Sequence, residues 1–333
     1  MPESTRVASG GHVSLGMHIF LFLVACSVFV SPLMAQDIPP YVPVNPVLQS
    51  RSALYAQPHV GRVEGWKVRT VTDYTNAVET TKSPDGRDYV LDAELLQLDL
   101  WLTRDVSPTV FVIGSVALRN GQAGYLDGFL NWYHDIIGLR VPARNQRTEN
   151  RFTWEFELDG ETIVRERAAF IGDARLGAGV RLGERIQAIA TVVLPTATTG
   201  KDGWSRKTVG TSLAVSARAV ETARLALDLG ASVGYTPTYG DLARYQRSVF
   251  GGGMVAGRWR FAGRQAVFAT LWGQTPNWGD TGFATMDRAE VTLDFGALLQ
   301  VGGGFPELQL GLTEDLLPRG PAVDIGFKIG ARW

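Results

Sequence analysis

The stretch AVDIGFKIGARW, residues 322–333 at the end of the chain, decides the fold. Every odd position from Val323 to Trp333 is apolar, and every even position is charged or small. Because successive side chains of a β-strand point to opposite faces, this alternation predicts a strand with one apolar and one polar face. Such a strand suits a sheet that meets lipid on one side and encloses a polar interior on the other.

The same alternation recurs from about residue 62 onward and is clear in 174–182, 223–235 and 289–299. Many of the alternating segments run for about 10 to 15 residues, whereas soluble strands usually have about five or six and tilted membrane strands about nine to eleven. We therefore predict twelve strands, near 62–75, 88–103, 108–118, 174–183, 185–195, 208–219, 222–236, 248–261, 264–275, 285–300, 305–313 and 321–333.

Short and long connections alternate between these predicted strands. The short ones lie at 104–107, 183–184, 220–221, 262–263 and 302–304. The long ones lie near 76–87, 119–173, 196–207, 237–247, 276–284 and 314–320. Outer-membrane barrels have short periplasmic turns and longer external loops. The sequence thus predicts an all-β fold, a transmembrane antiparallel up-and-down β-barrel of about 12 strands in a Gram-negative outer membrane, with both termini periplasmic.

The N-terminus has the parts of an export signal. Residues 17–30 form a short apolar run, followed by the helix-breaking Pro32 and the small residue Ala35. We predict a signal peptide over 1–35, with processing as a lipoprotein at Cys26 as the alternative. Residues 36–61 are then expected to form a periplasmic segment that precedes a barrel domain of residues 62–333.

Composition excludes several classes of function. The formal net charge of −1 and the pI of about 6.5 do not favour nucleic-acid binding. The single cysteine, Cys26, lies in the predicted leader, so the exported chain is expected to have no disulfide and no zinc–cysteine site. Only His59 and His134 follow the leader, and we expect no metal and no cofactor.

The polar faces of the predicted strands supply the residues that we expect to line the lumen. Two interpretations stay open: a network of paired charges, and a filter that selects anions because basic residues outnumber acidic ones. The candidate lumen-lining residues are Arg175, Arg181, Arg224, Asp228, Arg258, Arg260, Arg288, Glu290, Asp294, Glu307, Asp324, Lys328 and Arg332. On the outer surface, an interfacial aromatic girdle is predicted from Trp66, Trp101, Trp259 and Trp272.

Residues 119–173 form a long insertion, predicted to be extracellular, that has structure of its own. Apolar residues between Leu126 and Ile137 recur at helical spacing, and Asp159-Gly160 is a strong hairpin signal. One interpretation is a lid, in which a helix covers the mouth or lies on the membrane while the hairpin extends the wall. The other is a binding site, in which His134, Asp135 and the following arginines contact an anionic group.

A resemblance to a known family rests on YLDGFLNWYHDIIGL at 125–139, on the late Glu-Asp pair and on the Pro318 and Asp324 that follow it. These residues resemble the signature of an uncharacterised proteobacterial outer-membrane family, domain of unknown function 3187, although residues 139–143 depart from its usual polar, glycine-rich pattern. The resemblance implies an outer-membrane barrel and no particular activity. The motif residues are Asp127, Gly128, Phe129, His134, Asp135, Gly138, Arg144, Asn145, Glu314 and Asp315.

Three functions are compatible with these patterns. The first is a passive channel or small-solute transport barrel. The second is a plugged binding or structural barrel that contacts envelope lipid or polysaccharide, and the third is an outer-membrane lipid enzyme, with His134 as its base. The expected partners are outer-membrane lipids, a small solute and the barrel-insertion machinery, because the terminal Trp333 resembles the signal which that machinery reads.

Overall fold

The computed structural model describes residues 37–137, 149–199, 203–302, 304–317 and 325–333, without the side chains of His134 and Ile137. Within these residues there are three α-helices: α1 (Pro46–Gln49), α2 (Asp127–Ile137) and α3 (Ala284–Asp287). The strands are β1 (Trp66–Lys82), β2 (Asp88–Asp105), β3 (Val110–Gln122), β4 (Thr153–Leu158), β5 (Glu161–Val164), β6 (Ala168–Ile171), β7 (Ala174–Arg181), β8 (Ile186–Leu194), β9 (Gly210–Glu221), β10 (Leu225–Tyr235), β11 (Val249–Ala262), β12 (Gln265–Gln274), β13 (Glu290–Gln300), β14 (Glu307–Asp315) and β15 (Ile325–Arg332).

The strands form a closed barrel whose wall has twelve antiparallel strands. β3 and β4 lie in line against β2, and β5, β6 and β7 follow one another in the next position, so these five segments make two wall strands. β15 pairs with β1 over Arg69↔Arg332 to Asn76↔Ile325 and closes the barrel. The predicted fold is confirmed. No helix in the part of the chain that is described is long and apolar enough to cross a membrane.

Short and long connections sort to opposite ends of the barrel. We call the end with the short connections, where β1 begins and β15 ends, the turn end, and the opposite end the loop end. On β15 the side chains of Lys328 and Arg332 are buried in the interior, whereas Ile329 is exposed on the outside. The alternation seen in the sequence is therefore the inward and outward alternation of the wall.

The interior of the barrel is filled by residues 37–61, which we call the plug. Nearly all of its side chains are buried, including Tyr41, Leu48, Arg51 and Tyr55. We expected this segment to lie outside the barrel, and the structure places it inside. The physical reason is the width of the barrel. Eight strands give an interior that wall side chains can fill, and this wall has twelve.

The plug enters the lumen, reverses direction and leaves at the same end. Asp37 forms an ion pair with Lys67 at the turn end. Near the loop end the plug turns through α1, which starts at Pro46 and is capped by the side chain of Asn45. The returning arm descends to Val63, whose amide donates to Asp105 at the turn end (3.1 Å).

The insertion starts later and ends earlier than the predicted 119–173, because both margins of that range are wall strands. The chain leaves the wall after Gln122 and returns at Thr153, and we call residues 123–152 the excursion. Its helix α2 lies against the outside of the barrel, since Phe129 contacts the outward-facing Phe327 (ring centroids 6.1 Å apart). The predicted hairpin at Asp159-Gly160 is confirmed as β4–β5.

The excursion interrupts the wall at a single position. On β2, Glu94 pairs with Gln122 of β3, and Asp92 pairs with Thr153 of β4. Ala93 alone lies between these two pairs. One residue could therefore bridge β3 and β4 and keep every side chain of β4 on its present face.

We predict that replacing residues 123–152 with one threonine leaves a folded barrel. The variant should keep its heat-modifiable migration in a denaturing gel, with a lower urea midpoint because Asn76 and Glu94 lose their contacts with Asp127 and Leu126. A two-residue linker is the matched control. It would turn the β4 side chains to the wrong face, so equal stability of the two variants would contradict the proposed continuity.

A second prediction concerns the close approach of β13 and β14. A Cβ at Gly296 would lie 2.6 Å from the Cα of Gly311 and even closer to the Leu310 carbonyl oxygen. We expect Gly296→Ala to destabilise the barrel by about 1–3 kcal/mol, measured as the urea midpoint. Gly253→Ala is the control, because its nearest neighbour would be the Gly230 oxygen at 3.6 Å. Equal midpoints for the two variants would refute this account.

Candidate functional site

The first contacts between plug and wall lie at the turn end. The carboxylate of Asp37 forms an ion pair with Lys67 and lies 3.6 Å from Arg332, which also pairs with Glu307 (3.0 Å). Burial opposes the charged form of Asp37, but Lys67 and Arg332 outweigh it and hold the pKa of Asp37 well below its usual value. The plug is thus fixed by an ion pair where it enters the lumen.

Farther into the lumen, the first arm of the plug, which runs from Asp37 to α1, contacts a buried cluster of charges. Lys328 of β15 lies 2.7 Å from Asp294 of β13 and 3.4 Å from Asp73 of β1. The ring of Tyr41 lies 5.2 Å from the Lys328 ammonium, and its hydroxyl donates to Glu290 (3.4 Å). The charges here are paired across the wall, and the plug adds a ring and a hydroxyl.

The returning arm is held by Asp228. This wholly buried carboxylate forms an ion pair with Arg218 of the adjacent strand and accepts the backbone N–H of His59 (2.9 Å). Arg218 also contacts Glu221, whose side chain is 48% exposed. Sequence reasoning missed Arg218, although its position follows from the alternation of Leu213 and Val215 with polar residues on β9.

Two more predicted lumen arginines are paired within the wall. Arg175 lies 3.5 Å from Asp99, and Arg181 lies 2.7 Å from Asp105. Arg181 also donates to the backbone oxygen of Gly61 at the end of the plug (3.1 Å). These contacts support the interpretation of the lumen as a paired network. The acidic partners of both arginines, Asp99 and Asp105 of β2, are not among the predicted lumen residues.

Side chains and one backbone amide of the wall and loops near the loop end hold the apex of the plug, residues 47–51, through its backbone carbonyls. The Val47 oxygen accepts from Asn277 Nδ2 (2.7 Å) and Trp278 Nε1 (3.0 Å). The Gln49 oxygen accepts from Arg119 (3.3 Å), and the Ser50 oxygen accepts from the Arg206 amide (3.0 Å). Such backbone contacts hold a segment that has no regular pairing of its own.

Arg206 anchors these contacts from the loop between β8 and β9. Its guanidinium donates to the carbonyl oxygens of Thr236, Arg247 (2.8 Å) and Asn277 (2.9 Å). Burial and the nearby positive charge of Arg51 lower the pKa of Arg206 to about 9. The side chain therefore stays charged at neutral pH in a buried site.

Aromatic residues pack the middle of the plug against the wall. Tyr55 lies 5.1 Å from Trp272 and 5.3 Å from Phe250 between ring centroids. A Cβ at Gly252 would lie 3.1 Å from the Tyr55 ring, so the glycine allows this close approach. Trp272 and Trp101 are buried inside the barrel, and their predicted place in an outer girdle is wrong.

The remaining predicted lumen residues divide into three groups. Arg258 is buried on the inner face. Arg260 is also on the inner face of β11, partly buried near the turn end. Arg224 lies in the exposed turn between β9 and β10, and Arg288 is exposed just after α3, so these two do not line the lumen as predicted. These positions lie at or beyond strand ends, where the alternation no longer fixes the inner face. Asp324 lies outside the described residues.

Comparison with known proteins gives a family and a fold. The family described as protein of unknown function DUF3187 matches residues 44–333. The chain belongs to this family. Among curated proteins, none matches this sequence. The matched range covers the barrel and most of the plug.

Solved structures resemble the DUF3187 barrel in fold. The COG4313 outer membrane channel from Pseudomonas putida F1 has a TM-score of 0.54 and 14% identity, covering 83% of this chain and 98% of that chain. The P. putida toluene transporter TodX has a TM-score of 0.41 and 9% identity, covering 89% and 97%. The translocator domain of NalP from Neisseria meningitidis has a TM-score of 0.43 and 10% identity, covering 82% and 89%.

The motif that carries the family resemblance lies mostly on the excursion. Asp127, the first residue of α2, accepts from Asn76 (3.0 Å) and from the amide of Asn150 (2.7 Å), and so fixes the helix to the wall. Gly128 has open space around it, Phe129 is half-exposed and Asp135 is exposed. Glu314 is exposed and Asp315 partly buried at the end of β14. The His134 side chain, Gly138, Arg144 and Asn145 lie outside the described residues.

Asp228 gives a direct test of how the plug is held. A chain that starts at Gln36 contains no cysteine, so Ala56→Cys introduces a single thiol at a plug position that is 2% exposed. We expect Asp228→Ala to speed its labelling by a soluble maleimide at least about tenfold, because a hydrogen bond to a charged group contributes about 1.5–3 kcal/mol.

The matched control is Glu221→Ala, which removes the exposed partner of the same arginine and should change labelling less than about fivefold. Both variants are first checked for heat-modifiable migration, so that only folded barrels are compared. Equal labelling rates in two folded variants would show that Asp228 does not hold the plug.

Proposed function

We propose that this protein is an outer-membrane channel for small solutes that rests closed, with residues 37–61 as its removable plug. The observation that carries the proposal is that a separate chain segment, and not the wall side chains, fills the lumen. We further propose that residues 1–35 are a signal peptide, that the turn end faces the periplasm and that Trp333 is read by the insertion machinery.

The distribution of ion pairs supports a plug that can leave, because the plug takes part in ion pairs through Asp37 at the turn end, while the pairs farther in do not include it. The pairs Arg175–Asp99, Arg218–Asp228 and Lys328–Asp294 join wall residues to wall residues. They would persist after displacement of the plug, and water could replace the backbone groups that the plug contributes. The emptied lumen would be a polar, charge-paired passage, which suits small hydrophilic solutes.

The outer surface favours a second candidate function, contact with envelope lipid. On the excursion, Trp132 and Ile136 are strongly exposed, and Phe129 contacts the lipid-facing side of β15. A helix with such a face suits the membrane interface. This candidate concerns the outside of the barrel and is compatible with a channel inside it.

The channel is tested by locking the plug. A Cβ at Gly230 would lie 3.1 Å from the Cβ of Ala56, close to the spacing of about 3.5–4.5 Å in disulfides. We expect the variant with Ala56→Cys and Gly230→Cys to conduct in planar bilayers when reduced and to fall silent when oxidised. Each single cysteine variant is the control and should not respond to oxidation.

Deletion of residues 37–61 provides the complementary measurement. The shortened barrel should conduct continuously, because nothing else in the described part of the chain crosses the lumen. A folded deletion variant that does not conduct would contradict the channel. If the deletion does not fold, the disulfide variant still decides, since unchanged conductance on oxidation would exclude the plug as the gate.

A further inference from the structure

A small cavity lies beside the plug apex at the loop end. Its volume is about 20 Å³, and its lining includes Ser50 of the plug and Arg165, Ser205, Arg206 and Asp241 of the wall and loops. A cavity of this size holds one water-sized guest. The plug itself therefore forms part of the cavity lining.

Arg206 is the most buried cation in this lining, with a residue exposure of 3%. Its described contacts are carbonyl oxygens and the side-chain oxygen of Asn277, and its Nε has no hydrogen-bond partner. No carboxylate in the part of the chain that is described contacts its guanidinium. A buried guanidinium without an acidic partner is costly unless another anion compensates its charge.

Arg51 of the plug adds a second buried charge of the same sign. Its guanidinium donates to Gln274 (2.7 Å) and to the Thr275 oxygen (3.2 Å), and it lies over the Phe250 ring (4.5 Å). Within the described residues it also contacts no carboxylate. Two neighbouring guanidiniums thus give the apex a local positive charge.

The other charged groups at the cavity do not cancel the positive charge of Arg51 and Arg206. Arg165 is partly buried and has interactions of its own, so the proposal does not rest on its charge. Asp241 is negative but exposed at the rim, so water screens its charge more than that of a buried group. The field at the cavity therefore favours an anion.

We propose that this cavity binds the oxyanion of a small solute, a carboxylate or a phosphate, and that binding displaces the plug apex. The proposal rests on the proposed channel function and adds the class of solute and its coupling to opening. An oxyanion is larger than the present cavity, so it fits only when part of the lining moves, and Ser50 is the lining residue that belongs to the plug. A ligand that binds the displaced state better shifts the equilibrium toward that state.

The test uses the Ala56→Cys barrel and its rate of maleimide labelling. Inorganic phosphate and acetate are added separately, with chloride keeping the ionic strength constant. We expect at least one oxyanion to raise the labelling rate several-fold over chloride alone, and the stronger of the two identifies the preferred group. Identical rates in all three salts would overturn the proposal.

Variants assign the effect to the cavity. Arg206→Gln should abolish the response to the oxyanion, whereas Arg206→Lys keeps the charge and should retain part of it. Arg151→Gln removes an exposed arginine at the same end of the barrel and should respond like the parent. A full response in folded Arg206→Gln would overturn the assignment.

The outcome is separable from that of the channel proposal. An oxyanion that speeds labelling in a barrel whose deletion variant does not conduct would support the anion site and refute the channel. Conductance on deletion without any effect of oxyanions would support the channel and refute the anion site.

Discussion

Polar side chains that face the inside of a twelve-strand barrel need partners, and the rest of this structure depends on that constraint. The wall is too wide for its own side chains to fill the lumen. Arg175, Arg218 and Lys328 therefore pair with carboxylates elsewhere on the wall, and the plug occupies the remaining space. The backbone carbonyls of the plug accept hydrogen bonds from donors of the wall, as the Gln49 oxygen does from Arg119.

The contacts inside the barrel are of two kinds, which differ in how easily water can replace them. Ion pairs between wall strands do not involve the plug, whereas hydrogen bonds to plug carbonyls are of the kind that water can replace. Arg51 and Arg206 differ, because two guanidiniums are buried together at the apex without an acidic partner in the described part of the chain. Two like charges therefore lie buried close together where the plug meets the loops.

The sequence predicted the wall because lipid imposes strict alternation on the outward positions. The alternation is poor on β1, because the outward residues Tyr74 and Asn76 are polar and are covered by the excursion. The girdle prediction is wrong for Trp272, because the sequence alone does not distinguish an aromatic residue on the inner face from one on the outer face. The plug could not be predicted, because it has no period and its partners, such as Asp228 for His59, are distant in the chain.

The position of the excursion explains how a helix can be added to the outer face of the wall without moving the side chains on the inner face. It leaves and re-enters one wall strand across a gap of one residue, so the inward phase of β4 is preserved. Trp154 and Phe156 consequently pack inside against the same core as Val44 and Val47 of the plug. The outer helix can therefore vary in length and chemistry without moving the side chains that close the lumen, provided that the parity across the gap is kept.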